Sequence, residues 1–300
     1  MAIKRLPSTG DAPRTTGVPE SLVPGGASDS AGFPWAGRTF DHHGTAFSDD
    51  SGETPAEVAA AIAELRRAAR AAATAATAGD HWDAVSQIAE AHAQVIAALA
   101  EARVLVPMLA EAGELGVTPE GKTVEKTQEL SIVTVAAPDG RRVLPVFSSV
   151  ATLGRWHEDA RPIPVPATQA ALAAVQELTD LMILDAATPE AEYGVRRPAL
   201  RALALGERYV PAWADDEVLA AFRSAVAGEP AVAGLWLSPG DPEGRLLAPE
   251  VDVNVKLTAG LDRAELDALL QRAQAGWAAS EVIADRVDSM RLRPIADSAG

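Results

Sequence analysis

The side chains best placed for chemistry sit where an apolar strand should hand over to a helix. Ser148 and Ser149 follow the run Arg141–Phe147 and precede Val150, Leu153 and Trp156, which are spaced as one apolar helix face. A serine there could act as a nucleophile, and the helix N-terminus behind it could hold an anion. Arg161 stands at the head of the next strand, and Arg196-Arg197 with Arg201 form a small basic patch usable for a carboxylate or phosphate. Two simpler readings compete. Serine is a preferred helix cap, which accounts for both hydroxyls, and a short helix with a solvated basic face accounts for the arginines. The chain has no Gly-x-Ser-x-Gly elbow, Gly-x-Gly-x-x-Gly turn or Walker A loop, so neither a hydrolase triad nor a nucleotide loop is supported.

The histidines add little. Asp41-His42-His43, with Asp49-Asp50 beyond, is the most metal-like cluster. Adjacent side chains in an extended segment point to opposite sides, and a polar tail supplies no oriented outer shell. His92 follows Ile88 by four residues on the apolar face of a helix, the place of a hydrogen-bonded packing residue. His81 falls in a first helical turn and His157 at a helix C-terminus, where a cation is favoured. With no cysteine in the chain, disulfides, thiolate metal sites and cysteine nucleophiles are excluded. No catalytic set, metal or cofactor is expected.

The 300 residues carry a net charge of −16. That field repels phosphate backbones and anionic membrane surfaces and favours a basic partner, so neither nucleic acid nor membrane is expected. No run of apolar residues is long enough to span a bilayer, and the basic N-terminus lacks the apolar stretch of a secretory signal, which makes a cytoplasmic protein the expectation.

The elements that must position these residues can be read in order. Residues 1–53 are rich in Gly, Pro, Ser and Thr and read as a disordered leader. The leader carries one aromatic patch, Phe33–Phe40, in which Trp35, Arg38 and Phe40 could dock on a partner or on the chain itself. Thr54 reads as the cap of a helix over Ala56–Ala78 that Gly79 ends. Asp80 should cap a second helix with Trp82, Val85, Ile88, His92, Val95 and Leu99 on its apolar face, completing a helical pair over 54–101. Residues 102–211 read as an α+β domain. It holds a strand Arg103–Leu109 with Pro107 marking an edge or bulge, then a hairpin of Leu130–Ala137 and Arg141–Phe147 about Pro138-Asp139-Gly140. A helix Ser148–His157, a strand Pro162–Val165, a helix Thr168–Leu178, a strand Leu181–Asp185 and a helix Pro198–Leu205 follow. Residues 212–296 form a second α+β unit: a helix Glu217–Ala227, a strand Val232–Leu237, the turn Ser238–Gly244, a half-buried strand Glu250–Leu257, a helix Asp262–Trp277 and a strand Ser289–Pro294. Trp236 and Trp277 suit its core, and Trp213 could staple the two units. An exposed sheet edge around Val251–Leu257 would give a route to a homo-oligomer. The fold class is therefore α+β: two small mixed units with an N-terminal helical extension and a disordered leader.

Three of these strings together, EARVLVPML (Glu101–Leu109), GRRVLPVFSSVATLGRWHEDARPIPVP (Gly140–Pro166) and LMILD (Leu181–Asp185), resemble the N-terminal domain of the SseB family. The likeness is greatest to actinobacterial forms, whose Pro/Gly-rich leader carries a patch similar to Trp35–Arg38. Ala231–Pro294 is similar, more loosely, to the family's second domain. The resemblance implies an α+β bacterial cytoplasmic protein and supplies no catalytic residue. The function expected on these grounds is a non-enzymatic binding or adaptor protein acting through protein–protein contacts. The alternative is a small-ligand-binding protein or enzyme using the region near Ser148, Ser149, Arg161 and Arg196-Arg197.

Overall fold

A computed structural model of the protein describes residues 47, 49–110, 115–117, 123–125, 130–132, 134–137 and 140–296. Trp35, Arg38 and Phe40, the leader's expected disorder and the Asp41-His42-His43 cluster lie outside the described residues. Contacts group Ser51–Gly300 as one unit apart from Met1–Asp50, and the elements below belong to the former.

Two helices open it, α1 (Ala56–Ala73) and α2 (Ala78–Ala100). Their boundary differs from the sequence reading because threonines, not Gly79, punctuate it. Thr74 bonds back to the Arg70 carbonyl at 3.0 Å, and Thr77 caps α2 by accepting from the Asp80 amide at 3.1 Å. Gly79 therefore lies inside α2, and Asp80 is the partner of the cap. Thr54 does not cap α1 either, since Pro55 holds the cap position without a side-chain bond. The helices run antiparallel, with His81 bonding the Ala72 carbonyl at one end and Glu57 sharing a groove with Ala98 at the other. Trp82 stays 44 % exposed, off the apolar face expected of it.

Strands β1 (Arg103–Ala110), β2 (Leu115–Val117), β3 (Thr123–Glu125), β4 (Leu130–Ile132), β5 (Val135–Ala136) and β6 (Arg142–Val146) follow. After α3 (Val150–Trp156) come β7 (Arg161–Pro166), α4 (Ala167–Gln176), β8 (Leu181–Leu184), β9 (Tyr193–Val195) and α5 (Arg197–Leu205). The sheets run β4-β1-β7 and β5-β6-β8-β9, with β2 and β3 as a separate pair. Leu105 and Phe147 exchange backbone bonds of 2.8 and 2.9 Å, which joins the two larger sheets. Pro107 is in a central strand, contrary to the edge or bulge expected. Alternation from Leu105 aims its nitrogen into the gap between that bridge and the Met108–Ile132 start of the β4 ladder, so no bond is lost. The hairpin is present in part: β5 and β6 pair antiparallel around Gly140, whose φ of +86° suits glycine, but Leu130–Ile132, expected in the same strand, pairs with β1 instead. β9, absent from the sequence reading, is too short to leave a period. Val150 was expected on the apolar face of α3 but is 50 % exposed.

The C-terminal part comprises a 3-10 turn at Ala212–Ala214, α6 (Asp216–Ser224), β10 (Val232–Pro239), β11 (Val251–Leu257), α7 (Arg263–Ala278), α8 (Glu281–Arg286) and β12 (Met290–Ala296). Its sheet runs β10-β11-β12, antiparallel then parallel. β11 is thus central and buried on both faces, which overturns the half-buried strand and the free edge at Val251–Leu257. Trp277 is buried against Phe222 and donates to its carbonyl at 3.0 Å, whereas Trp236 is half-buried. One apolar core runs from Val58 in α1 to Val287 after α8. The described residues form an α+β fold, and no helix among them is long and apolar enough to cross a membrane.

Candidate functional site

The densest buried polar chemistry centres on Arg196. β9 places Tyr193, Gly194 and Val195 in the interior, and Arg196 follows them before α5 begins. A guanidinium carried inward must find partners. Its Nη2 donates to Asp241 Oδ2 at 2.7 Å and to the Ala248 carbonyl at 2.8 Å, and its Nη1 donates to Asp288 Oδ2 at 3.0 Å and Ser289 Oγ at 3.1 Å. Asp241 lies in the β10–β11 connection and also accepts from the amides of Arg245 and Leu246, so one carboxylate closes the turn and holds the arginine. Glu250 completes the shell by accepting from the Asp288 amide at 2.8 Å and the Tyr209 hydroxyl at 3.3 Å.

Burial sets the protonation states. It would lower the Arg196 guanidinium, but Asp241 and Asp288 outweigh it and hold the group above its ordinary value. Burial pushes the Glu250 carboxyl up to about 7, against the pull of the Asp288 amide and Arg196. It brings His92 down to about 4 and raises Tyr193 and Tyr209. His92 Nδ1 shares a 2.9 Å hydrogen bond with the Tyr193 hydroxyl, while its buried Nε2 has no partner. Gly244 closes over both rings. Its φ is +63°, and a Cβ there would lie 2.7 Å from the Tyr193 ring and 3.0 Å from His92. The space these side chains enclose is about 10 Å³, room for one water molecule. Such a cluster can take up or release a proton at Glu250 near neutral pH, beside a space the size of one water.

Ser148 belongs to a different knot. It is 1 % exposed, its hydroxyl and amide donate to Asp185 at 2.6 and 2.8 Å, and it shares a 2.7 Å bond with Thr54. Its carbonyl accepts from Arg103, which also reaches the Glu53 carbonyl at 2.6 Å. This explains why Thr54 does not cap α1. Ser149 is the cap of α3, in a capping box with Thr152. Arg161 is exposed at the head of β7, opposite Met108.

The expected basic patch is not a patch. Arg197 donates to the Ala284 and Val287 carbonyls at 2.6 and 3.0 Å, and Arg201 pairs with Asp285 at 3.1 Å. The open carbonyl end of α8 attracts these cations. Nor do the serines and arginines share a site. Val146 pairs Leu184 and Leu184 pairs Tyr193, which puts Ser148 beyond one end of the sheet; Met182 pairs Val195, which puts Arg196 beyond the other. Among the described residues no three His, Asp or Glu gather as a metal site.

Sequence reasoning missed Tyr209, Asp241, Glu250 and Asp288 as site members. Asp241 was read as turn chemistry alone, and its second role depends on a partner 45 positions away. Glu250 had one available signal, an acid directly before the apolar Val251, Val253 and Val255.

No curated protein and no solved structure matches the chain. Residues 58–202 match the family model of the SseB protein N-terminal domain. The match runs from α1 into α5, so it takes in His92, Ser148, Asp185, Tyr193 and Arg196 and stops short of Tyr209, Asp241, Glu250 and Asp288. By that match residues 58–202, just under half of the chain, form an SseB protein N-terminal domain.

Proposed function

We propose that this chain is an SseB-family protein, a non-enzymatic binding or adaptor protein of the cytoplasm that acts through protein–protein contacts. On this reading residues 54–101, 102–211 and 212–296 are a helical pair and two α+β units, and the leader patch at Trp35, Arg38 and Phe40 is a docking motif. One observation carries it: the side chains with reactive potential are spent on internal bonds, Ser148 on Asp185 and Arg196 on Asp241 and Asp288, and the space beside Arg196 is about 10 Å³. The net charge of −16 favours a basic partner reached by electrostatic attraction. The ligand-binding or enzymatic alternative needs Ser148 beside Arg196, and the strand register sets them at opposite ends of one sheet.

The test is affinity capture from the source bacterium's lysate, with bound proteins identified by mass spectrometry. It compares the full-length chain with a full-length Trp35→Ala/Phe40→Ala variant. The expected result is a basic partner held by the wild type, weakened in the variant, and released above about 0.3 M salt, where screening falls well inside 10 Å. Absence of any partner from both samples would overturn the adaptor reading.

A further inference from the structure

The C-terminal sheet has a second face that the core does not use. Val251, Val253 and Val255 point into the core, so alternation turns Asp252 and Asn254 the other way. Register then sets Ser238, Asp252 and Arg291 in one row and Trp236, Asn254 and Arg293 in the next. Asp252 is buried beneath this face. It accepts from Arg291 Nε and Nη2 at 2.8 and 2.9 Å and from Arg293 Nη1 at 2.9 Å. Two guanidiniums therefore share one carboxylate, a local positive surplus on a strongly acidic chain. The two side chains remain 48 % and 56 % exposed.

What Asp252 leaves over defines the chemistry. Arg291 keeps Nη1, and Arg293 keeps Nε and Nη2, as donors not engaged with Asp252. Asn254 Nδ2 donates to Ser238 Oγ at 2.9 Å, so the Ser238 hydroxyl retains its own proton to donate. Trp236 lies half-buried beside them. A buried acid that holds two arginine forks in place has already met their ordering cost, which favours planar, doubly accepting carboxylates. Strand addition along β12 is not the route. The Ser289 carbonyl accepts from Val251, so alternation turns Pro294 to the outer edge, where it offers no N–H. Binding has to come through side chains on the face.

We propose that this face binds an acidic segment of a partner protein, its carboxylates on Arg291 and Arg293 and an apolar neighbour against Trp236. The proposal rests on the binding-protein reading above and adds a second contact, to an acidic segment, beside the leader's.

The experiment is fluorescence anisotropy of a labelled peptide alternating Glu and Val, titrated with the full-length chain at low salt, beside the matching Lys and Val peptide. Binding of the Glu peptide is expected; the acidic chain also attracts the Lys peptide, but only the Glu peptide should depend on Arg291 and Arg293. An Asp252→Asn/Arg291→Gln/Arg293→Gln variant, which strands no buried acid, should bind at least about tenfold more weakly, the size that charge-assisted bonds carry. Arg291→Lys/Arg293→Lys keeps the charge and should fall between the two, which guards against a misfolded triple variant. Equal Glu-peptide binding by the triple or the lysine variant, an equal loss of the Lys peptide in the triple variant, or competition by inorganic phosphate at lower concentration than by unlabelled Glu peptide would each overturn the site. None of these results moves the Trp35 and Phe40 capture, so the two readings fail separately.

Discussion

Two arginine–carboxylate clusters are built on the C-terminal sheet with opposite charge ratios. Around Arg196 one buried cation serves two buried carboxylates, Asp241 and Asp288, with Arg141 reaching Asp288 from the surface at 3.2 Å and Glu250 a third acid beside them. Around Asp252 one buried carboxylate serves two half-exposed cations. The difference teaches where surplus charge can be left. In the interior it has to be neutralised, here by a proton on Glu250 in reach of neutral pH. At the surface water solvates it, and it stays available to a partner. The first cluster is architecture: it ties the SseB domain to the residues beyond it. The second has no comparable structural duty.

The sharpest way to break this contrast is Arg196→Met. Removing the cation leaves Asp241 buried with only the Arg245 and Leu246 amides, leaves Asp288 to Arg141 and the Ser289 hydroxyl, and takes the donor from the Ala248 carbonyl. A loss of about 3–5 kcal/mol is expected in denaturant melts, enough to unfold a marginal protein. A loss near zero would mean that water reaches the cluster and that its acids are solvated like surface ones.

Titration cuts the interior cluster more finely. Folding raises the Glu250 carboxyl from 4.5 to about 7, so the folded chain holds the extra proton in that range. Stability from this group falls as pH rises from about 4.5 to about 7 and is level above. His92 runs the other way. Folding lowers it from 6.5 to about 4, the unfolded chain holds the extra proton, and stability rises across about 4 to 6.5. The two slopes oppose each other and should flatten the wild-type profile between about 4.5 and 6.5. Glu250→Gln should uncover the rise and His92→Gln the fall, each by about 3 kcal/mol at most over that interval. Melts at stepped pH that keep the wild-type profile in both variants would show that neither group titrates against the charges of Arg196, Asp241 and Asp288.

Gly244 tests whether the cluster needs its tight lid. Gly244→Ala combines a left-handed φ with a Cβ driven into Tyr193 and His92. A cost of about 1–3 kcal/mol is expected. Because the clash falls on the His92 ring, the rising limb of the pH profile should change with it. A variant as stable as wild type would mean that the β10–β11 connection gives way freely.

How much of this was legible in the sequence follows from range. Elements framed by adjacent signals came through: the turn of the Gly140 hairpin and the Ser149 cap both depend on residues within a few positions of each other. β9 and α8 were lost because three or six residues leave too little periodicity to read. The arginines were misjudged for a different reason. Arg196, Arg197 and Arg201 look solvent-facing beside a short helix, and their partners at Asp241, Asp288, Ala284 and Asp285 are 45 to 92 positions away. Charge type is local, but whether a charge is spent is decided by tertiary packing.

The smallest expected effect is the one that completes the contrast. Arg293→Gln removes one of two cations from Asp252, and Arg291 keeps both of its bonds to that carboxylate. Asp252 is therefore not stranded, and the lost pair is a surface one. The cost should stay within about 1 kcal/mol, and high salt should shrink it further. The same single substitution should still weaken the Glu-peptide complex, because Nε and Nη2 of Arg293 leave with it. A residue that matters little to the fold and clearly to an acidic ligand belongs to a binding face. Were Arg293→Gln instead to cost as much as Arg196→Met, the outer pair would be structural, and the distinction between spent and available charge would fail on the side where it is meant to hold.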